Sequence, residues 1–302
     1  MELTPTRILI GSGRGGYARI AKNVEAGNLI RVRSGVVAPN VELTRELQLR
    51  QAIEAVAPYL HSGTWFSHRS AAVIHGLPVL LASKTLVEVI RTFGGHGNVS
   101  NHLHARAAQL KDDEVARVDG LPVTSIAKTV LDLACTLPFP EAVMVADAAL
   151  RMGLDRDALL AGLAECYGHR KAERALLFAD PASESPPESE SRARIAMAGL
   201  PVPEIQTVIR SSTGEFIARV DFYWRGKKLI GEYDGEGKYT GTFGSTPLAT
   251  VLNEKERQAA LEAEGYDVLR WGKDVLRTPG ELERRVRRAL AMRPWLSAHE
   301  PS

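Results

Sequence analysis

Residues 218–235 read ARVDFYWRGKKLIGEYDG, and the fold turns on how this stretch divides. The β-branched and aromatic residues of FIARVDFYW (216–224) and KLIGEYD (228–234) predict two adjacent strands. Asp221 falls inside the first, while Glu232 and Asp234, two positions apart on the second, project from one face. Upstream, Ser185-Pro186-Pro187-Glu188 has the form of a capping box, with the serine as N-cap and the glutamate three positions on; it predicts a helix ending near Gly199. EIQTVI (204–209) reads as a further strand. Downstream, a helix over 252–264 stops at Gly265, YDVLRW (266–271) returns to strand, and Thr278-Pro279-Gly280-Glu281 opens a last helix. The order is an αβββαβ core followed by one more helix, assigned to residues 183–302.

Metal-assisted cleavage of a phosphodiester needs carboxylates that converge, because Mg²⁺ takes oxygen ligands and leaves water free to attack. Antiparallel pairing of the two strands would bring Asp221, Glu232 and Asp234 together, and like charges so placed call for a cation or for water. Asp221 and Glu232 are flanked by apolar strand residues, where an acid without a partner is costly. Two plainer roles stand beside this reading. Asp234-Gly235 is also a turn signal that closes hairpins, and Glu188 is also explained as a helix cap.

At these residues the chain resembles the PD-(D/E)XK nucleases, and within them the small domain similar to very-short-patch-repair (Vsr-like) endonucleases. The stretches that carry the resemblance are ESESRARIAMAGLPVPEIQ (188–206), ARVDFYWRGKKLIGEYDG (218–235) and EKERQAALEAEGYDVLRW (254–271). The resemblance implies a restriction-endonuclease-like fold acting on DNA with Mg²⁺, with Asp221 as central metal ligand, Glu232 as second and Glu188 as an outer acidic partner. One position departs from the pattern. Asp234 stands where the family has a lysine, the group that positions water or stabilises charge; Lys238 is the candidate to replace it, with Lys255 as an alternative.

The amino-terminal block, residues 1–43, holds an apolar run (TRILIG), a glycine cluster, a helix around Tyr17 to Ala26 and the basic alternation LIRVRSGVVAP, which turns at Ser34-Gly35. A helix followed by a basic hairpin suggests a winged helix-turn-helix. Gly11-Ser12-Gly13-Arg14-Gly15-Gly16 fits a dinucleotide fingerprint, but no acidic strand end or further βαβ unit follows, so no nucleotide cofactor is assigned. Over residues 7–152 the chain resembles the AbiEi-type antitoxins of abortive-infection toxin-antitoxin systems, through ARIAKNVEAGNLIRVRSGVVAP (18–39), SHRSAAVIHGLP (67–78) and LPVTSIAKTVLDLA (121–134), with Asp147 in VADAALR. This resemblance implies a winged helix on DNA, with Arg19 and Lys22 on the recognition helix, Arg31 and Arg33 in the wing, and a cognate toxin as partner.

Residues 44–182 read as an α+β block that becomes helical after Thr124, ending in the Pro-, Ser- and acid-rich linker ADPASESPPESES (179–191). The whole is an α+β multidomain protein. Hydrophobic content of 44% with 25% charged residues excludes a mostly disordered chain. The absence of a long apolar run or a signal-peptide pattern predicts a cytoplasmic protein of a bacterium with no membrane partner. Cys135 and Cys166 have neither metal-ligand spacing nor the count of a disulfide framework, so both are read as reduced. Histidines 68, 75, 96, 102 and 104 are read as polar surface or satisfied core, and Trp224 and Trp271 as core aromatics. The sequence reading is a Mg²⁺-dependent DNA endonuclease linked to phage defence or toxin-antitoxin biology, favoured by the acidic pair; the alternative is a catalytically inactive antitoxin-like DNA-binding repressor, favoured by Asp234 in place of lysine.

Overall fold

A helix and a small sheet open the chain. Strand β1 (Thr4–Pro5), helix α1 (Arg14–Glu25) and the hairpin β2 (Leu29–Arg33) and β3 (Val36–Pro39) form a three-stranded sheet in the order β1-β3-β2. Gly35, at a φ of 83°, makes the reversal that the hairpin needs. The computed structural model describes residues 4–5, 14–33, 35–94, 97–100, 102–165, 168–235 and 247–294. Residues 11–13 of the glycine cluster, Ser34, His96, Cys166 and Lys238 lie outside them. Among the described residues one helix precedes the hairpin.

Two units make up the chain, residues 1–137 with 156–173 and residues 138–155 with 174–302. In the first, α2 (Arg45–Val56) begins where Thr44 accepts a hydrogen bond from the Leu47 amide. It is followed by β4 (Thr64–Phe66), α3 (His68–His75), β5 (Val87–Arg91), β6 (Asn98–Val99), β7 (Leu103–Ala107), β8 (Val115–Val118), β9 (Leu121–Thr124) and α4 (Ile126–Thr136). Six strands form one mixed sheet in the order β6-β7-β5-β4-β9-β8, around buried Phe66, Val89, Val123 and Leu133. The sequence marks β5 and β8. It does not mark β4, β7 and β9. Helix α6 (Arg156–Ala161) and the start of α7 (His169–Phe178) also belong to this unit; α5 (Phe139–Arg151) does not.

The second unit follows the order read from the sequence with one short helix added, α10: α8 (Pro186–Met197), β10 (Glu204–Arg210), β11 (Phe216–Trp224), β12 (Leu229–Tyr233), α9 (Pro247–Ala263), β13 (Asp267–Trp271), then α10 (Lys273–Arg277) and α11 (Glu281–Ala291). Its sheet runs β10-β11-β12-β13, antiparallel except for β12 and β13, which α9 connects in parallel. One core gathers Ile195, Phe222, Trp224, Leu229, Trp271, Leu282 and Val286. Another holds Ile209, Ala218, Val220, Tyr223, Ile230 and Leu261. Both tryptophans are core residues with satisfied N–H groups, Trp224 donating to the Pro201 carbonyl (2.7 Å) and Trp271 to the Ser191 hydroxyl (2.9 Å).

Helix α5 is the element whose place the sequence order hides. It packs against α8, and buried Asp147 accepts two hydrogen bonds of 3.0 Å from buried Arg192 and one of 2.7 Å from the Asp180 amide. The stretch expected to be an exposed linker is therefore partly core. Ala179 and Ser183 are buried, the Ser183 hydroxyl bonds that of Ser189 (2.9 Å), and Arg151 bonds the Ser183 carbonyl. Polar composition suggested solvent there; buried hydrogen bonding replaces it. The architecture is α+β with more than one sheet, and among the described residues no helix is long and apolar enough to cross a membrane.

Candidate functional site

The carboxylates singled out in the second unit sit on neighbouring elements. The antiparallel register of β11 and β12 runs from Trp224↔Leu229 to Phe222↔Gly231, so Asp221 and Glu232 each lie one residue beyond its last pair. Strand β11 is irregular at this point. Val220 and Tyr223 share a core cluster while Phe222 faces the other, so the two-residue alternation breaks at Asp221. Across from it, between the pairs Ile205↔Phe222 and Thr207↔Val220, Gln206 has a φ of 50°. Such backbone distortion gathers at functional sites. Asp221 Oδ2 accepts a hydrogen bond from the Tyr233 amide (2.8 Å), which ties β11 to the end of β12 beyond the last paired residues.

Glu232 is buried and has its cations within the protein. Arg257 of α9 reaches Oε1 (2.6 Å) and Oε2 (3.0 Å), and Arg270, its register partner on β13, reaches Oε2 (3.0 Å). Glu254 joins both arginines, accepting from Arg257 Nε (2.9 Å) and Nη2 (2.7 Å) and from Arg270 (2.8 Å), and Gln258 also accepts from Arg270 (2.9 Å). Burial by itself would raise the Glu232 carboxyl, but the Arg257 hydrogen bonds and the charges of Arg257 and Arg270 hold it below the ordinary carboxylate range. Arg257 is raised in turn, first by its bond to Glu232 and then by Glu254. Glu232 is thus an anion already neutralised.

Only half of the capping box expected from sequence forms: the Ser185 hydroxyl accepts from the Glu188 amide (3.4 Å), while the Glu188 carboxylate reaches the amide before the N-cap instead of that of Ser185. Ser185 donates to Glu188 Oε1 (2.6 Å), and Oε2 accepts from the Glu184 amide and the Gln206 side chain, each at 3.0 Å. Asp234 donates its amide to the Trp271 carbonyl (2.9 Å) and leads out of β12; since β13 runs parallel to β12, it closes no hairpin between them. Lys255 is exposed on α9. Mg²⁺ needs carboxylate oxygens free to coordinate. Here both oxygens of Glu232 and both of Glu188 already accept protein donors, so this arrangement does not suit the ion. Among the described residues no group of three or more His, Cys, Asp or Glu side chains is disposed to hold a metal.

The basic residues at the amino end divide differently. On α1, Ile20 is buried and anchors the helix, while Arg19 and Lys22 are exposed, as is Arg31 on β2. Arg33 turns to the protein: its guanidinium lies 4.1 Å from the centre of the Tyr59 ring and donates to the Ala55 carbonyl (3.2 Å). The structure leaves three of the four expected DNA-contacting cations exposed and gives the fourth a packing role.

No family model matches the chain. It is 37% identical over 179 residues to two uncharacterized proteins of Mycobacterium tuberculosis, MT2308 of strain CDC 1551 and Rv2248 of strain H37Rv. The match covers 58% of this chain, which spans 64% of the length of either relative. Among solved structures, the RV2827C protein of Mycobacterium tuberculosis is similar at a TM-score of 0.40 and 14% identity, over 70% of this chain and 84% of that one, too distant to bear on fold or function.

Sequence reasoning missed a second polar cluster, at the end of the six-stranded sheet. Buried Glu88 accepts from the Arg69 amide and from Arg106, both at 3.0 Å. His68 is buried beside Ser67, its Nδ1 3.1 Å from the hydroxyl oxygen. Lys128 bonds Asp132 (2.8 Å), whose second oxygen is buried without a partner among the described residues. The one local signal was the polar run Ser67-His68-Arg69-Ser70 between an apolar strand and an apolar helix. The other members lie on β5, β7 and α4, which local sequence does not connect.

Proposed function

We infer that this chain is a DNA-binding protein of the antitoxin-like repressor kind, acting in a bacterial cytoplasm beside a cognate toxin. In this reading the amino-terminal helix and hairpin form a winged-helix element that grips the duplex. The second unit keeps the αβββαβ order of an endonuclease-like domain without cutting. The observation that carries the reading is a contrast between two sets of charges. Arg19, Lys22 and Arg31 are exposed, as phosphate contacts require, whereas Glu232, the carboxylate that cleavage would need, is held by Arg257 and Arg270. Asp234 also stands where the endonuclease pattern has its charge-stabilising lysine, which counts further against hydrolysis in this reading.

The test is a gel-shift titration with duplex DNA from upstream of the chain's own gene. Arg19→Ala with Lys22→Ala is expected to weaken binding at least tenfold, as loss of two phosphate contacts does; unchanged affinity would exclude this surface. The rival endonuclease reading is favoured by the closeness of Asp221 to the end of β12, where its carboxylate accepts from the Tyr233 amide (2.8 Å). Nicking of plasmid in Mg²⁺ that disappears on Asp221→Ala would establish it in place of the repressor.

A further inference from the structure

Helix α11 presents a surface that none of the roles above uses. Leu282, Val286 and Leu290 are buried and fix one side of the helix in the core of the second unit. The opposite side carries Arg284, Arg285, Arg287 and Arg288, all exposed. Two acids share the helix, and both are engaged. Glu283 pairs with Arg194 of α8 (2.9 Å), and the single carboxylate of Glu281 serves both Arg284 and Arg285. Among the described residues Arg287 and Arg288 make no ion pair.

This arrangement opposes the helix's own stability. Arg284 stands three and four positions before Arg287 and Arg288, and Arg285 three before Arg288, which are the spacings at which like charges on a helix repel. A face of four guanidinium groups against one shared carboxylate is complementary to a dense, regular line of negative charge. All four cations are arginine and none is lysine, which favours the two-pronged hydrogen bonding that phosphate accepts. We propose that the arginine face of α11 binds the phosphate backbone of duplex nucleic acid, giving the second unit a sequence-independent contact of its own. The proposal rests on the reading of the chain as a DNA-binding protein and adds to it a second point of attachment.

The experiment compares four forms of the full chain for binding to an arbitrary-sequence duplex across a salt series: wild type, Arg287→Gln with Arg288→Gln, Arg287→Lys with Arg288→Lys, and Arg19→Ala with Lys22→Ala. The glutamine form should bind about tenfold more weakly and lose about two units from the slope of log affinity against log salt. The lysine form should keep the slope and bind more weakly than wild type. A glutamine form that binds like wild type, while the α1 form does not, overturns this proposal and leaves the repressor reading standing. The reverse pattern supports the α11 contact and removes the α1 surface. Failure of wild type to bind any duplex overturns both, and preference of wild type for vesicles of anionic lipid over duplex overturns the nucleic-acid assignment. Circular dichroism of each form confirms that the exposed substitutions leave the helix intact.

Discussion

His68 is buried at the junction of β4 and α3 with a φ of 49°, a left-handed conformation that costs a non-glycine residue on the order of 1–2 kcal/mol. Burial, followed by the nearby cations Arg106, Lys128, His104 and Arg69, pushes its pKa down to about 3. In the unfolded chain the same imidazole titrates near 6.5. Below that pH the unfolded state takes up a proton that the folded state refuses, so stability is full above about 6.5 and is lost as pH falls toward 3. From this residue the protein should lose about 2 kcal/mol between pH 7 and pH 5. His68→Asn, which does not titrate and tolerates the left-handed backbone, should remove that part of the pH dependence. Urea unfolding at the two pH values measures it, and equal slopes for wild type and variant would mean that His68 is protonated in the fold. The sequence offered the histidine but not its titration, because the cations responsible come from β7, α3 and α4.

Strands β11, β12 and β13 meet tightly at Gly231. A Cβ added there would lie 2.8 Å from the Trp271 ring and 3.1 Å from Phe222 Cβ, and those two rings are themselves stacked with centres 5.1 Å apart. The neighbours are buried and have no room to yield. Gly231→Ala is expected to cost about 1–3 kcal/mol by overpacking, read as a lowered urea midpoint; an unchanged midpoint would show that the aromatic pair can shift. At the level of elements much was legible. The N-cap at Ser185, the stop at Gly265 and the β-branched and aromatic strands each announced a local structure that formed. The distortion at Gln206 and Asp221 was not legible, since it arises from the pairing of two strands rather than from either alone.

Across the molecule, the second unit begins before the polar stretch that reads as its boundary. A fragment of residues 183–302 lacks α5, and with it the Asp147 carboxylate that both holds Arg192 and caps the turn at Asp180. Arg192 would then be left without its buried partner, a loss that typically costs about 3–5 kcal/mol, and the apolar side of α8 would face water. The fragment 183–302 should therefore aggregate or lack a cooperative thermal transition, whereas residues 138–302 should show one. Calorimetry of the two fragments decides the point; a cooperative transition in the shorter fragment would show that α5 is dispensable.

The sequence by itself determined most of the order of helices and strands in the carboxy-terminal region, the cap at Ser185, and which side chains are acidic or basic, because each depends on a few neighbouring residues; the last helix takes Gly280 and not Thr278 as its N-cap. Tertiary structure alone decided what those charges do. Glu232 is 25 positions from Arg257 and 38 from Arg270, and only the parallel register of β12 with β13 and the return of α9 bring the three together. Electrostatic interaction falls with separation in space and strengthens where water is excluded, and neither quantity is written in the spacing of residues along a chain.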